Sequence, residues 1–455
     1  MDHKYSMKPV AVPPVKTRHR RIVTKLPVPA SLPIFRRLQR FEPISMQGQP
    51  PVLWDKAQDC SVYDRWGNMW LDWSSCVLVS NVGHGRPEIA RSIIKGAKKP
   101  LLATYVFAHE DRARLCEVLA KLAPKGLDKV FLLTTGSEAN ENAIKLARTS
   151  GLKTGGPEKI VLVSFSGAFH GRTLGAQMIG GIPGQKSWIG RKPEGFVQVP
   201  FPDGFRTADT RFVVFEETLE RLGVRPEQVA GVISESYQGI GPNFFPTEYA
   251  QALEAWCQRH RALLIMDEVQ SGFGRTGKLF AFEHYGITPD LITCGKGISS
   301  SLPLSAVIGR AEIMNAYPPG SMTSTHSASP LAVKAALENL RILKAERLTA
   351  RAAQLERPLR QGMDEIAQKH KEHVGAVFCR GLVGGLLMVR PGTIEPDGAA
   401  AMAINERCFQ KGLLMFAPVG LGGGCIKIAP PLTISKDALR EGCTVLAEAF
   451  QEILG

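Results

Sequence analysis

Pro289-Asp290-Leu291-Ile292-Thr293-Cys294-Gly295-Lys296-Gly297 is the stretch on which the fold turns. A short apolar run ends in a lysine held between two glycines. Twenty-nine residues upstream, Leu263-Leu264-Ile265-Met266 ends in Asp267-Glu268-Val269-Gln270. Runs of this length and apolarity are buried strands of a parallel sheet, and each delivers its polar residues at its carboxyl end. In open α/β sheets that edge is where ligands bind. Taken alone, a lysine between glycines is an ordinary solvated loop residue, and an aspartate after a strand is an ordinary helix cap.

Outward from this pair the middle of the chain alternates strand and helix. Strands are predicted at 129–135, 159–165, 229–234, 262–266, 291–294 and 306–308. Helices are predicted at 137–149 and 248–259. Such alternation means an α/β domain with a mainly parallel sheet. Residues 52–73 alternate apolar and polar about Gly67, the pattern of a hairpin. From about residue 329 a helical segment carries Leu337, Leu340 and Leu343, and strand-like runs follow at 385–389 and 424–428. The predicted division is a basic, Pro-rich amino-terminal arm over 1–50 and an amino-terminal part of a small domain over 51–100. A large domain over 101–335 and a carboxyl-terminal small domain over 336–455 complete it.

The chain has 455 residues, 44% of them hydrophobic, enough for a large core. No apolar run reaches membrane-spanning length, so a soluble protein with no membrane partner is expected. The first 21 residues lack the apolar segment of a secretory signal. They are basic, from Lys4 to Arg21, and Pro9, Pro13 and Pro14 disfavour a helical transit peptide. A flexible or surface-hugging arm is expected. Nine cysteines stand without metal-site spacing, so no metal, no disulfide framework and a cytoplasmic setting are expected. The net charge of +14 is spread along the chain with no nucleic-acid-binding motif, and no nucleic-acid partner is expected.

Three further motifs carry chemistry. Thr134-Thr135-Gly136-Ser137-Glu138-Ala139-Asn140 joins a strand to a helix, and its first amides suit a phosphate. Ser137 is equally an N-cap with Asn140 three residues on. Gly167-Ala168-Phe169-His170-Gly171-Arg172-Thr173 offers an aromatic ring to stack on a planar group and an arginine to hold a carboxylate; a packed Phe and a surface Arg remain the plain alternative. Gly272-Phe273-Gly274-Arg275-Thr276-Gly277-Lys278-Leu279 misses the nucleotide P-loop, because Leu279 stands where Ser or Thr must hold magnesium. The glycines at 420–424 carry no dinucleotide fingerprint. A strand-end lysine with a strand-end aspartate is the pair that pyridoxal 5'-phosphate (PLP) chemistry needs: one forms the Schiff base, the other keeps the ring nitrogen protonated.

With these motifs in this order, the chain from about Trp54 onward resembles the class III (ω-amino-acid) aminotransferases of PLP fold type I, the group of 4-aminobutyrate, ornithine and acetylornithine aminotransferases. The resemblance implies a large PLP-binding domain with a mainly parallel sheet and a smaller α+β domain made from both ends of the chain. It implies Lys296 and Asp267 as catalytic residues. It implies Gly136, Ser137, Phe169, His170, Val269, Gln270 and Thr325 around the cofactor, Thr325 serving the neighbouring subunit's phosphate. A homodimer or dimer of dimers with shared sites follows. Arg172, Val77, Tyr105, Glu235, Ile240 and Lys427 are the candidates for contacting an amine donor and an oxo-acid acceptor. Two positions depart from the glutamate-using members. Ile240 stands where a glutamate is usual, and Lys427 where its arginine partner is usual. The implied reaction is transfer of a terminal amino group to an oxo acid. A racemase, epimerase or aminomutase on the same scaffold, and a non-catalytic binding protein, are the alternatives.

Overall fold

The computed structural model describes residues 5–455; Lys4, counted with the basic arm, lies outside them. The chain forms two compact units, one running from Pro87 to Glu346 and the other joining the residues up to Arg86 with Arg347–Gly455.

The larger unit is built on seven strands: β1 (Lys129–Leu133), β2 (Val161–Phe165), β3 (Phe196–Val199), β4 (Val229–Glu235), β5 (Leu263–Asp267), β6 (Leu291–Cys294) and β7 (Ser305–Gly309). Their order across the sheet is β1-β7-β6-β5-β4-β2-β3. All neighbours pair in parallel except β7, which runs antiparallel to both β6 and β1. Six strands therefore end at one edge. Strands β4 to β7 are buried along their whole length, which explains why each appears as an unbroken apolar run rather than an alternating one.

One helix aims at that edge. Gly136–Gly155 packs across β2 and β4 to β7. Ala139, Ala143 and Ala147, spaced at four residues, lie fully buried in the same core as Leu162, Ile233, Ile265, Leu291 and Val307. Gly151 continues the stripe, and a Cβ there would come within 2.1 Å of Lys159 O. Small side chains on one face bring the helix axis close to the sheet. Its first turn is thereby set beside the strand ends. Helices Pro87–Lys98 and Pro330–Ala345 pack on each other within this unit.

The smaller unit carries two sheets. Lys56–Gln58, Ser61–Tyr63 and Met69–Asp72 form an antiparallel meander, and Leu413–Leu414 adds in parallel. Val374–Arg380, Val383–Met388 and Cys425–Ile428 form a second, antiparallel sheet. The amino-terminal arm carries two short strands. Val15–Lys16 pairs with Arg21–Ile22, which pairs with Met69. Ile22, Leu26 and Val28 are buried with Val62, Trp70, Phe409 and Leu414. Pro9, Pro13 and Pro14 disfavour a helix but not an edge strand, and Val15 and Ile22 in the paired segments suit one.

Candidate active site

Strands β4, β5 and β6 end in register. Asp267 pairs with Glu235 on one side and Thr293 on the other, and Lys296 follows two residues after β6. The row faces the parallel-strand edge where the helix Gly136–Gly155 begins.

Asp267 is 3% exposed and uses both carboxylate oxygens. Oδ1 accepts the Val269 amide at 2.9 Å, and Oδ2 accepts Asn140 Nδ2 at 2.8 Å and lies 2.7 Å from His170 Nδ1. Asn140 also donates to His170 O at 2.7 Å and accepts from Thr293 Oγ1 at 2.8 Å. Burial alone would lower the pKa of His170, but the Asp267 bond and charge and the Glu235 charge raise it above the ordinary histidine range. The other ring nitrogen, Nε2, is buried with no hydrogen-bond partner among the described residues. Asn140 and Thr293 escape sequence reasoning. The signal for Asn140 was its place beside the Ala139/Ala143 stripe, where a polar residue must be buried and so must find partners.

Lys296 sits at φ 43°, a left-handed conformation for a residue other than glycine. Gly136 and Gly295 flank Val269: a Cβ on either would meet Val269 Cγ1, at 2.7 and 3.1 Å. The two glycines thus let three loops converge next to Lys296. Burial depresses the pKa of the Lys296 amine, and the charges of Asp267 and Glu235 offset only part of that. A neutral amine is therefore more accessible here than on a surface lysine.

The helix cap differs from the expected one. Thr135, not Ser137, is the N-cap. Its hydroxyl accepts the Glu138 amide at 3.2 Å, while Glu138 Oε2 accepts the Thr135 amide at 2.8 Å, a reciprocal capping box. Ser137 is not needed for capping. The amides of Gly136 and Ser137 and the Ser137 hydroxyl remain at the positive end of a 20-residue helix, an anion cradle. The loop after β2 closes over it. The Arg172 amide donates to Ser137 Oγ at 3.3 Å, and a Cβ on Gly171 would lie 2.2 Å from that oxygen. Arg172 is exposed, with its guanidinium 5.4 Å from the Phe169 ring centroid.

Glu235 is buried. Its Oε2 accepts the Phe169 amide at 2.9 Å and its Oε1 the Gly239 amide at 2.7 Å. It ties the Phe169 loop to the loop carrying Ile240. Burial lifts its pKa to about 7, against the pull of His170. Gln270 stands against Gly239, where a Cβ would lie 3.0 Å from Gln270 Nε2. Tyr105 and Thr325 lie on exposed segments; Tyr105 Oη is 3.0 Å from Thr323 Oγ1. Among the described residues no hydrogen bond joins either to the strand-end row. Two candidates belong to the smaller unit: Val77 is exposed on a left-handed turn, and Lys427 is buried opposite Gly385. Among the described residues no cluster could hold a metal ion.

The family model described as aminotransferase class-III matches residues 44–450. The chain belongs to the class-III aminotransferases. A 4-aminobutyrate aminotransferase of Escherichia coli is 34% identical over 411 residues, 88% of this chain and 94% of that one. A 5-aminovalerate aminotransferase of Pseudomonas putida is 34% identical over 414 residues, 89% of this chain and 94% of that one. Among solved structures, an (S)-enantioselective omega-transaminase of Thermomicrobium roseum superposes with a TM-score of 0.85 at 30% identity, covering 94% of this chain and 99% of its own. The class-III aminotransferases depend on PLP, and the residues here fit it. An anion cradle, a buried carboxylate already held in place, and an amine with depressed basicity meet at one sheet edge. No helix among the described residues is long and apolar enough to cross a membrane.

Proposed function

We propose that this class-III aminotransferase moves the terminal amino group of an ω-amino acid or amine to an oxo acid, with Lys296 and Asp267 as its catalytic residues. The observation that carries the assignment is the Asp267–His170–Asn140 cluster, in register with the strand that presents Lys296. When bound, PLP supplies the electron sink that lets a carbon–hydrogen bond next to the amine break. Asp267 would hold a proton on the ring nitrogen, and His170 and Asn140 keep its carboxylate aimed. Lys296 Nζ carries the proton from the donor carbon and returns it to the acceptor carbon; its lowered pKa provides the neutral form for the first step. Gly136 and Ser137 would hold the phosphate. Phe169 and Val269 would bracket the ring, and Gln270 would meet its hydroxyl. Arg172 would receive a substrate carboxylate, with Tyr105 and Glu235 as further donor contacts.

The relatives named for 4-aminobutyrate and 5-aminovalerate support a donor of that class. Ile240 makes one wall apolar where glutamate-using members carry a carboxylate. Lys427 offers a point charge in place of a bidentate guanidinium. We therefore expect pyruvate or an aldehyde to be accepted at least as well as 2-oxoglutarate. Steady-state kinetics with 4-aminobutyrate or 5-aminovalerate and each acceptor decides this. A much higher kcat/KM for 2-oxoglutarate, lost in Lys427→Ala, would show that lysine replaces the arginine. Racemisation of a chiral amine donor without any acceptor, and with no transfer to either oxo acid, would overturn amino transfer itself. The exposed apolar residues Leu102, Tyr105, Val106 and Phe107, next to a Thr325 that would serve a neighbour's phosphate, support a homodimer. Nine unbridged cysteines support a cytoplasmic site. Light scattering that finds an active monomer would refute the dimer.

A further inference from the structure

The loop that carries Arg172 is fastened to one face of the helix Gly136–Gly155. Asn140 Nδ2 donates to His170 O at 2.7 Å, and the Arg172 amide donates to Ser137 Oγ at 3.3 Å. Just beyond Arg172, the Thr173 hydroxyl donates to Glu141 Oε1 at 2.5 Å. The same oxygen accepts the Ala176 amide at 3.1 Å. Ser137 and Glu141 are four residues apart and so stand one above the other on the helix. Glycines allow the approach. A Cβ on Gly171 would lie 2.2 Å from Ser137 Oγ, and one on Gly175 would lie 2.3 Å from Glu141 Oε2.

Glu141 takes over the work of a cap. Thr173 is the N-cap of the short helix Leu174–Ile179, yet its side chain makes no capping bond. An N-cap hydroxyl ordinarily accepts the amide two or three residues on. Here that amide, from Ala176, goes to Glu141, and Thr173 becomes a second donor to the same oxygen. The far end of the short helix is held by packing, with Ala176, Gln177, Met178 and Ile179 buried. Its near end is different. Arg172, Thr173 and Leu174 are exposed, so polar contacts rather than apolar burial fix the backbone there. Asn140 and Ser137 hold the chain up to Arg172, and Glu141 holds it immediately after.

We infer that Glu141 is a positioning residue: by holding Thr173 and the Ala176 amide, it fixes the direction in which Arg172 leaves the loop. It thereby sets how tightly the enzyme takes the carboxylate of an ω-amino acid. This rests on the proposal that Arg172 receives that carboxylate. A guanidinium binds a carboxylate through two parallel bonds, and this fork tolerates little misdirection. Glu141 itself touches neither the carboxylate of Asp267 nor the amine of Lys296, so its effect falls on substrate binding and not on proton transfer.

Four variants test it as holoenzymes, with PLP occupancy followed by absorbance. The donor is 4-aminobutyrate or 5-aminovalerate, and pentanoate, a carboxylate without the amine, is the competitive inhibitor. Glu141→Ala should raise the donor KM and the pentanoate inhibition constant together, by about fivefold, with kcat and PLP occupancy held. Glu141→Gln keeps an oxygen that accepts from Thr173 and Ala176, and should stay near wild type in both constants. Thr173→Val removes only the hydroxyl and should shift both constants in the direction of Glu141→Ala; this variant decides the matter if Glu141→Ala does not fold. Arg172→Ala should raise both constants more than any of these. Wild-type pentanoate inhibition in Glu141→Ala or Thr173→Val overturns the positioning role. So does a loss confined to kcat or PLP occupancy, or a Glu141→Gln as impaired as Glu141→Ala. Those results leave Arg172 where it was. Unchanged constants in Arg172→Ala would instead remove Arg172 from carboxylate binding, and this inference with it.

Discussion

Asp267 takes three donors, and only one of them, Val269, is near it in sequence. Asn140 arrives from the helix after β1 and His170 from the loop after β2. A carboxylate held this way cannot rotate away from a ring nitrogen, and its bond and charge in turn raise the pKa of His170. Asp267→Asn removes the charge and keeps the shape. Turnover should fall about 10- to 100-fold, as expected for losing a charged hydrogen bond, while PLP still binds. A variant within a few-fold of wild type would show that another group protonates the ring. Lys296→Ala should lose about 1000-fold or more, because nucleophile and proton carrier go together. Substantial turnover by that variant would sink the assignment of the site. The aspartate and lysine were legible because each ends a run of apolar residues that is itself local. The asparagine was not, since its partners lie 30 and 127 residues away.

At the scale of elements, the helix Gly136–Gly155 separates capping from anion binding. Thr135 and Glu138 serve the fold, whereas Gly136 and Ser137 face the site. Thr135→Ala should cost about 1 kcal/mol of stability and leave PLP affinity close to wild type. Ser137→Ala should do the reverse, with weaker PLP binding and an unchanged denaturation midpoint. Fluorescence titration with PLP and urea denaturation of both variants would show it; loss of stability in Ser137→Ala alone would return the cap to Ser137. The sequence left cap and cradle undecided. Thr135 and Ser137 are both good N-caps, and the choice between them depends on where β1 releases the chain. Ser305 Oγ bonds Thr135 O at 2.7 Å, so β7, a strand 170 residues later, helps set that point. The amino-terminal strands escaped for a similar reason. Two-residue strands have no periodicity to detect, and their partner is Met69.

In the whole molecule the buried acids give stability a pH dependence. Glu235 and Glu268 are both pushed up to about 7 by burial, from an ordinary value of 4.5. The folded state then binds more protons than the unfolded state between those values. Stability from these groups is present at the acid end and is lost as pH rises toward 7. The urea midpoint should therefore fall between pH 5 and 8 by more in the wild type than in Glu235→Gln. Equal slopes would mean that Glu235 is ionised throughout. His170 acts in the same direction, since its raised pKa favours the folded state until the proton leaves.

By itself the sequence determined the α/β class, the parallel strands and the family, and it singled out the lysine and the aspartate as candidates. Those properties are written in contiguous runs, and a strand or a strand–turn–helix motif is satisfied mostly within its own neighbourhood. Only the tertiary structure decided which residues hold Asp267, that Thr135 rather than Ser137 caps the helix, that Glu235 brackets two loops, and that Val77 sits on a left-handed turn. Each of these depends on a hydrogen bond or a close approach between segments far apart in the chain. A buried polar group must find some partner, but which partner it finds is set by how the strands are ordered in the sheet.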